Sequence, residues 1–182
     1  KTTIRATFWT SITWSLKIKN SSGTVVRNFG SGTGTSLTKT WDGKDGLGNF
    51  VPEGTYTIYL SGPGFTKTKA VTVDITSPTV TSVSVNPTSF KPSLGQKTTI
   101  NYTLSESCYV TIKIFNGTGS LVKTRLNNVL QAAGLQSVVW NGRNDAGSIV
   151  PAGTYTIKIW VVDKAGNKAS PYPIKKTVTV LV

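Results

Sequence analysis

The sequence contains one segment twice, and this duplication constrains the fold more than any other feature. The tetrapeptide Lys-Thr-Thr-Ile stands at residues 1–4 and again at residues 97–100. An 18-residue segment that begins at Trp41 returns at Trp140, with ten identical positions. Because the chain has 182 residues, a repeat that covers about half of it predicts two small domains of related structure.

Alternating apolar and polar residues indicate β-strands in both copies. Thr, Ser, Gly and Val dominate the composition, and no apolar stretch with helical spacing is present, so the pattern predicts an all-β fold. In each copy, four apolar residues at every second position share one face: Ile12, Trp14, Leu16 and Ile18, then Cys108, Val110, Ile112 and Ile114.

The repeated segment consists mainly of turn-forming and inward-facing residues. A strand ends at Trp41 or Trp140, a glycine-rich turn follows, and Val-Pro-x-Gly then leads into Thr-Tyr-Thr-Ile. Proline and glycine at these positions favour tight turns. The tryptophans could stack on sugars, but their position beside a turn favours a place in the core. Tyr56 and Tyr155 are expected to point inward.

These patterns predict two β-sandwiches in tandem, one over residues 1–77 and one over residues 78–182. The second copy has an opening strand between residues 80 and 95, interrupted by Pro87 and Pro92. The first copy lacks this strand, because residue 1 already aligns with residue 97. The backbone near Ile4, Ala6 and Phe8 is therefore expected to form an open edge.

Two explanations of this open edge follow from the sequence. Either the chain begins after its own opening strand, or a neighbouring subunit donates a strand to the edge. The chain has no initiating methionine, signal peptide or transmembrane run, and is expected to be a mature product or a piece of a larger protein.

The residue types that carry most enzymatic chemistry are scarce. The sequence has no histidine, which excludes serine triads, imidazole metal sites and histidine general bases. Asp42 and Asp45 lie in a loop with a faint likeness to a calcium site, but asparagines at positions 141 and 144 of the second copy favour turn capping instead. No catalytic residue, metal or cofactor is assigned, and the chain is not expected to be an enzyme.

Cys108 is the only cysteine, so the chain forms no internal disulfide. It lies on the same face of the predicted strand as Val110 and aligns with Ile12 of the first copy. This position predicts a buried and unreactive thiol.

The formal net charge of +13 has two interpretations. It could reflect a solvated lysine-rich surface, or weak adhesion to an anionic cell-wall polymer or acidic polysaccharide. Nucleic acid is not expected as a partner, because the lysines form no basic run. Trp160 and Lys158 should face outward on one strand, and with Trp9 they are the candidate interaction surface.

The repeated segment resembles the Ig-like domain of the flagellar hook-capping protein, over about residues 14–58 and 110–157. This module recurs in tandem in bacterial surface and secreted proteins, so the resemblance implies Ig-like or fibronectin-III-like sandwiches at an extracellular location. It implies a structural role as a spacer or assembly unit, with neighbouring domains or subunits as partners. A filament subunit that uses strand donation and an adhesive module are the alternatives.

Overall fold

The computed structural model describes all 182 residues and divides into two compact units, Lys1–Ile75 and Thr76–Val182. Strands form almost all of the regular structure, and the one helical element is a short 3-10 turn at Pro92–Leu94. The predicted all-β fold is confirmed.

The first unit is one antiparallel sheet in the order β2-β1-β3-β4. Its four strands are β1 (Thr2–Lys19), β2 (Val25–Trp41), β3 (Gly54–Gly62) and β4 (Phe65–Val73). The pairing of β1 with β2 shifts register between Thr7, opposite Ser36, and Ile12, opposite Gly34. At such a shift one strand has more residues than its partner, and the difference bends both strands. The sheet can therefore cover its own apolar face.

A single core confirms that the two halves of this sheet face each other. Its buried apolar residues come from both halves of β1, the second half of β2, the loop before β3, and β3 itself: Ile4, Trp14, Leu16, Ile18, Leu37, Trp41, Val51, Tyr56 and Leu60. The alternation predicted along β1 is present, although Ile12 is only half-buried.

The second unit contains two separate sheets, with orders β10-β7-β5 and β6-β12-β11-β8-β9. Its strands are β5 (Val80–Asn86), β6 (Ser89–Phe90), β7 (Thr98–Leu104), β8 (Cys108–Phe115), β9 (Leu121–Gln131), β10 (Gly134–Trp140), β11 (Gly153–Asp163) and β12 (Ile174–Val180). Ile100 from the smaller sheet and Ile112 and Ile157 from the larger one lie in the same core and are fully buried. This arrangement is a β-sandwich.

The repeat relates the two units strand by strand. β1 spans the positions of both β7 and β8, and β2 those of β9 and β10, while β3 and β4 match β11 and β12. No strand of the first unit matches β5 or β6. The prediction of tandem sandwiches, the first without its opening strand, is confirmed with one difference. In the first unit the two layers are halves of one bent sheet, because its strands continue where those of the second unit break.

Candidate interaction surfaces

The repeated segment forms the same internally bonded loop in each unit. The indole nitrogen of Trp41 donates to the carbonyl of Lys44 at 2.8 Å, and that of Trp140 donates to Arg143 at 3.0 Å. Both tryptophans are buried, as expected for core residues. Each indole N–H group therefore donates its hydrogen bond within its own loop.

The tyrosines of the repeat complete this loop. The Tyr56 hydroxyl donates to the carbonyl of Pro52 at 2.8 Å, and the Tyr155 hydroxyl donates to Pro151 at 2.7 Å. Each ring packs edge-on against the tryptophan of its unit, with centroids 5.4 and 5.3 Å apart. The pattern that repeats most clearly in the sequence thus fixes loop geometry.

The Asp45 carboxylate caps the glycine-rich turn of the first unit. Its Oδ1 accepts hydrogen bonds from the backbone N–H groups of Leu47 and Asn49, both at 2.9 Å. The bond from Asn49 is the main reason why the pKa of Asp45 lies below its ordinary value. In the second unit, the Asn144 side chain accepts a bond from the Ser148 N–H at 2.9 Å. A neutral residue thus fills the same role, which favours the turn-capping interpretation.

Cys108 is fully buried in the core of the second unit. Burial, followed by the negative charges of Glu106 and Asp163, raises the pKa of its thiol to about 11. The thiol is therefore protonated at neutral pH, in agreement with the unreactive cysteine expected from the sequence.

Lys158 and Trp160 lie half-buried on the outer face of β11. They meet at Phe115 of β8: the Lys158 ammonium lies 4.2 Å from the centroid of that ring, and the Trp160 ring packs edge-on at 6.4 Å. Trp9 belongs to the other unit and is fully exposed, at the bend of β1. Within the second unit the structure thus joins Lys158 and Trp160 through a residue, Phe115, that sequence reasoning did not select.

A row of three lysines crosses this outer face. Lys158 lies opposite Lys113 of β8 on one side and opposite Lys175 of β12 on the other. We call these three residues the lysine row. Like charges directly opposite each other destabilise a sheet. Sequence reasoning missed the row because its members are far apart along the chain, and only strand pairing brings them together.

The backbone around Ile4, Ala6 and Phe8, where the sequence predicts an open edge, has a neighbouring strand on one side only. The N-terminal half of β1 pairs with β2 through residues 2–7, whereas β3 pairs with β1 only from Ser15 to Lys19. The other side of residues 2–7, the open edge, therefore has no strand beside it. The side chains themselves point inward: Ile4 is buried, and the half-buried Phe8 packs against Phe65, with ring centroids 6.0 Å apart.

A groove of about 520 Å³ runs between the open edge and β4. We call it the edge groove. Its apolar floor includes Ile4, Ala6, Ile58, Leu60 and Val71. Its charged lining residues are all basic: Arg5, Lys67 and Lys69.

Each unit also carries a cleft between its first hairpin turn and the repeated loop, of about 630 Å³ in the first unit and 690 Å³ in the second. Exposed apolar side chains line both clefts, among them Leu47 and Phe50 in one and Leu121 and Ile149 in the other. Sequence reasoning did not select these residues. The sequence feature that could have identified them is the presence of apolar side chains at turn positions.

No helix of the structure combines the length and apolar character that crossing a bilayer requires.

Comparison with solved structures gives likenesses of low identity. FlgD from P. aeruginosa is 23% identical, with a TM-score of 0.38, over 57% of this chain and 69% of that one. PorZ, described as a surface component of the type-IX secretion system of Porphyromonas gingivalis, is 22% identical, with a TM-score of 0.35, over 56% of this chain and 12% of that one. The fibronectin(III)-like modules of Clostridium thermocellum CbhA are 13% identical, with a TM-score of 0.46, over 99% of this chain and 85% of that one.

No curated protein matches the chain in sequence. The family model of the FlgD Ig-like domain matches residues 9–63 and again residues 87–165. The two matched segments lie in different units and together cover more than half of the 182 residues. They include both copies of the tryptophan-to-tyrosine loop. The chain therefore belongs to the FlgD Ig-like domain family, in two tandem copies.

Proposed function

We propose that this chain is a non-enzymatic structural module of a bacterial extracellular or cell-surface protein, in which it serves as a spacer or assembly unit. One observation carries the proposal. The residues that recur in both units, Trp41 with Tyr56 and Trp140 with Tyr155, direct their polar atoms to backbone carbonyls of their own loops. The repeat thus preserves shape, which is what a spacer requires.

Surface display tests the spacer role. The chain is placed between a cell-wall anchor and an epitope tag on a bacterial cell, and antibody binding to the tag is compared with that of a fusion without the chain. We expect the chain to increase access to the tag, and the double variant Trp9→Ser, Lys158→Gln to do so equally. A tag no more accessible than in the short fusion would contradict the spacer role.

Adhesion to an anionic wall polymer is a second candidate, and the lysine row favours it. Lys113, Lys158 and Lys175 hold three positive charges side by side on adjacent strands, beside the exposed part of Trp160. Strands in a sheet lie about 4.8 Å apart, so the row concentrates positive charge on one face of the sheet, which attracts a polyanion. The first unit has Lys17, Tyr59 and Thr68 at the corresponding positions and forms no such row.

Retention on immobilised teichoic acid tests this candidate. We expect retention at low salt that weakens at 0.5 M salt, because exposed charges are screened within about 10 Å at 0.1 M and less at higher salt. Changing the three lysines of the row to glutamine should abolish retention. The control changes Lys1, Lys39 and Lys97 to glutamine, with the same loss of charge. Equal loss from both triple variants would mean that net charge alone attracts the polymer, and would reject the site.

A further inference from the structure

We propose that the outer face of the five-stranded sheet in the second unit binds an acidic polysaccharide. The sugar rings lie against Tyr109, Leu130 and Trp160, which we call the aromatic patch, and the carboxylates lie against the lysine row. The inference rests on the proposed adhesion to an anionic polymer and deepens it. It names the polymer chemistry that this face distinguishes, which is a chain of charged sugar rings and not a chain of charges alone.

Strand register places the aromatic patch beside the lysine row. Tyr109 of β8 lies opposite Leu130 of β9, and Trp160 of β11 lies opposite Thr111, two residues along β8 from Tyr109. Lys158, the middle residue of the row, lies two residues before Trp160 on β11. Residues two apart along a strand share a face of the sheet. The patch and the row therefore form one continuous surface.

The side chains of the patch are apolar and remain in contact with water. Tyr109 exposes 36% of its surface and Leu130 exposes 49%, while Trp160 is half-buried. The ring C–H groups of a sugar form an apolar face that stacks on such side chains, while its hydroxyl groups stay in water. Stacking removes apolar surface from water on both partners, which is favourable.

The first unit has small hydroxyl side chains at the positions of the patch. Thr13 takes the place of Tyr109 and lies opposite Thr33, with the two hydroxyl oxygens 3.2 Å apart. Ser61 takes the place of Trp160. The same arrangement of strands therefore forms without aromatic residues at these positions, so the patch is not a requirement of the fold.

One contact on this face occurs in both units and is structural. The Lys19 ammonium lies 3.9 Å from the centroid of the Tyr59 ring, and the Lys158 ammonium lies 4.2 Å from that of Phe115. Phe115 takes the place of Lys19, and Lys158 that of Tyr59, so cation and ring have exchanged strands. The Phe115 ring therefore holds the Lys158 ammonium close to the sheet, and we assign it no sugar contact.

The acidic side chains of the second unit lie away from the lysine row. Asp145 pairs with Lys123 at 3.2 Å in the repeated loop, Asp163 is buried, and Glu106 lies in the turn before β8. The charge of the row therefore attracts anionic groups from outside the chain. A lysine ammonium binds a carboxylate through charge-assisted hydrogen bonds.

The arrangement of the rings favours a sugar polymer over single-stranded nucleic acid. Proteins that bind single strands stack successive bases on aromatic rings in a positively charged groove. Here the surface is the face of a sheet, and the Trp160 and Phe115 rings are inclined at 62° to each other. A uronic acid polymer carries one carboxylate on each sugar ring, so rings and charges are interspersed along it as they are on this face.

Binding of four polymers to the full chain tests the inference. Polygalacturonate has a carboxylate on every sugar ring, poly-L-glutamate has carboxylates without sugar rings, poly(glycerol phosphate) has phosphates without rings, and oligothymidylate represents nucleic acid. The polymers are matched in number of charges and measured by calorimetry at the same low salt. We expect polygalacturonate to bind about three- to tenfold more tightly than either ring-free polymer, which corresponds to one aromatic contact.

Variants that introduce the residues of the first unit separate the patch from the row. Tyr109→Thr changes an exposed side chain and Trp160→Ser a half-buried one, so the first should fold even if the second does not. We expect either variant to lose the preference for polygalacturonate and to bind poly-L-glutamate as the natural chain does. Changing the three lysines of the row to glutamine should weaken binding of all four polymers. Trp9→Ser is the control and should change none of these affinities.

Equal affinity for polygalacturonate and poly-L-glutamate would overturn the inference, as would tighter binding of oligothymidylate. A Tyr109→Thr variant that keeps the preference for polygalacturonate, or that weakens all four polymers alike, would also overturn it. If poly(glycerol phosphate) still binds through the lysine row in these cases, adhesion to an anionic polymer survives without sugar recognition. Absence of binding by every polymer would reject both proposals.

Discussion

At the scale of single residues, the two units reach similar cores with different side chains. In the first unit Trp14 lies opposite Gly32, and in the second unit the equivalent pair is Val110 opposite Val129. Trp14 and Val110 are both buried, whereas Val129 is exposed. The glycine opposite Trp14 leaves room for the larger ring, as a close-packed interior requires.

Gly32→Ala should therefore destabilise the first unit. An added Cβ would stand 2.4 Å from Cζ2 of the Trp14 ring, which is rigid and buried. We expect a loss of about 1–3 kcal/mol, typical of overpacking, in the free energy of unfolding measured with urea. Gly46→Ala is the control, because its Cβ meets nothing within 4 Å. Equal effects of the two substitutions would refute this view of the Trp14 contact.

Asp45 should make the stability of the first unit depend on pH. The bond from the Asn49 N–H lowers the pKa of the folded carboxyl, so its contribution is complete above the unfolded pKa of about 4 and is lost as pH falls through the folded value. Asp45→Asn introduces the residue type of Asn144. We expect the variant to unfold at lower urea than the natural chain at pH 7, and this difference to shrink at pH 3. A difference that stays constant between these pH values would contradict the role of the charge.

At the scale of elements, local patterns in the sequence predicted most of the strands and both loops. Alternation identified the inward face of β8, and the turn residues identified the repeated loop with Trp140 and Tyr155 in the core. The continuity of β1 was not predictable in this way. Residues 8–11 look like the break between β7 and β8, and only the pairing with β2 shows that the strand continues through a bend.

The lysine row and the edge groove were beyond sequence reasoning for a related reason. Lys113, Lys158 and Lys175 become neighbours through the register of three strands, which no local pattern specifies. The open edge itself followed from the alignment of the two copies, since an absent strand leaves a gap in the repeat.

Grafting the missing element tests whether the edge groove accepts a strand. Residues 78–96, attached directly before Lys1, should pair with β1 as β5 pairs with β7, and then with β4 as β6 pairs with β12, with the phenylalanine of the graft against Trp41. We expect the first unit to gain about 2 kcal/mol, roughly the burial of one or two apolar side chains less the cost of ordering the segment. The gain is measured by urea unfolding.

The control graft carries V85D, which places a charge at the position that is buried in the natural β5. It should give no gain, because a charge on the inner face opposes docking. A stabilisation that survives V85D would show that the graft acts without entering the groove.

At the scale of the whole molecule, the two units share one plan and differ in completeness. The second unit surrounds its core with two sheets, whereas the first folds one sheet over its core and leaves residues 2–7 of β1 unpaired on one side. Strand pairing therefore covers both sides of β7 but only one side of residues 2–7.

Residue-resolved hydrogen exchange of the free chain tests this difference most directly. We expect alternate amides of residues 2–7 to exchange rapidly at every protein concentration, because those that face away from β2 have no partner. The amides of β7, which lies between β5 and β10, should all exchange slowly. Uniformly slow exchange across residues 2–7 in dilute solution would show that the edge is already covered and would contradict the account.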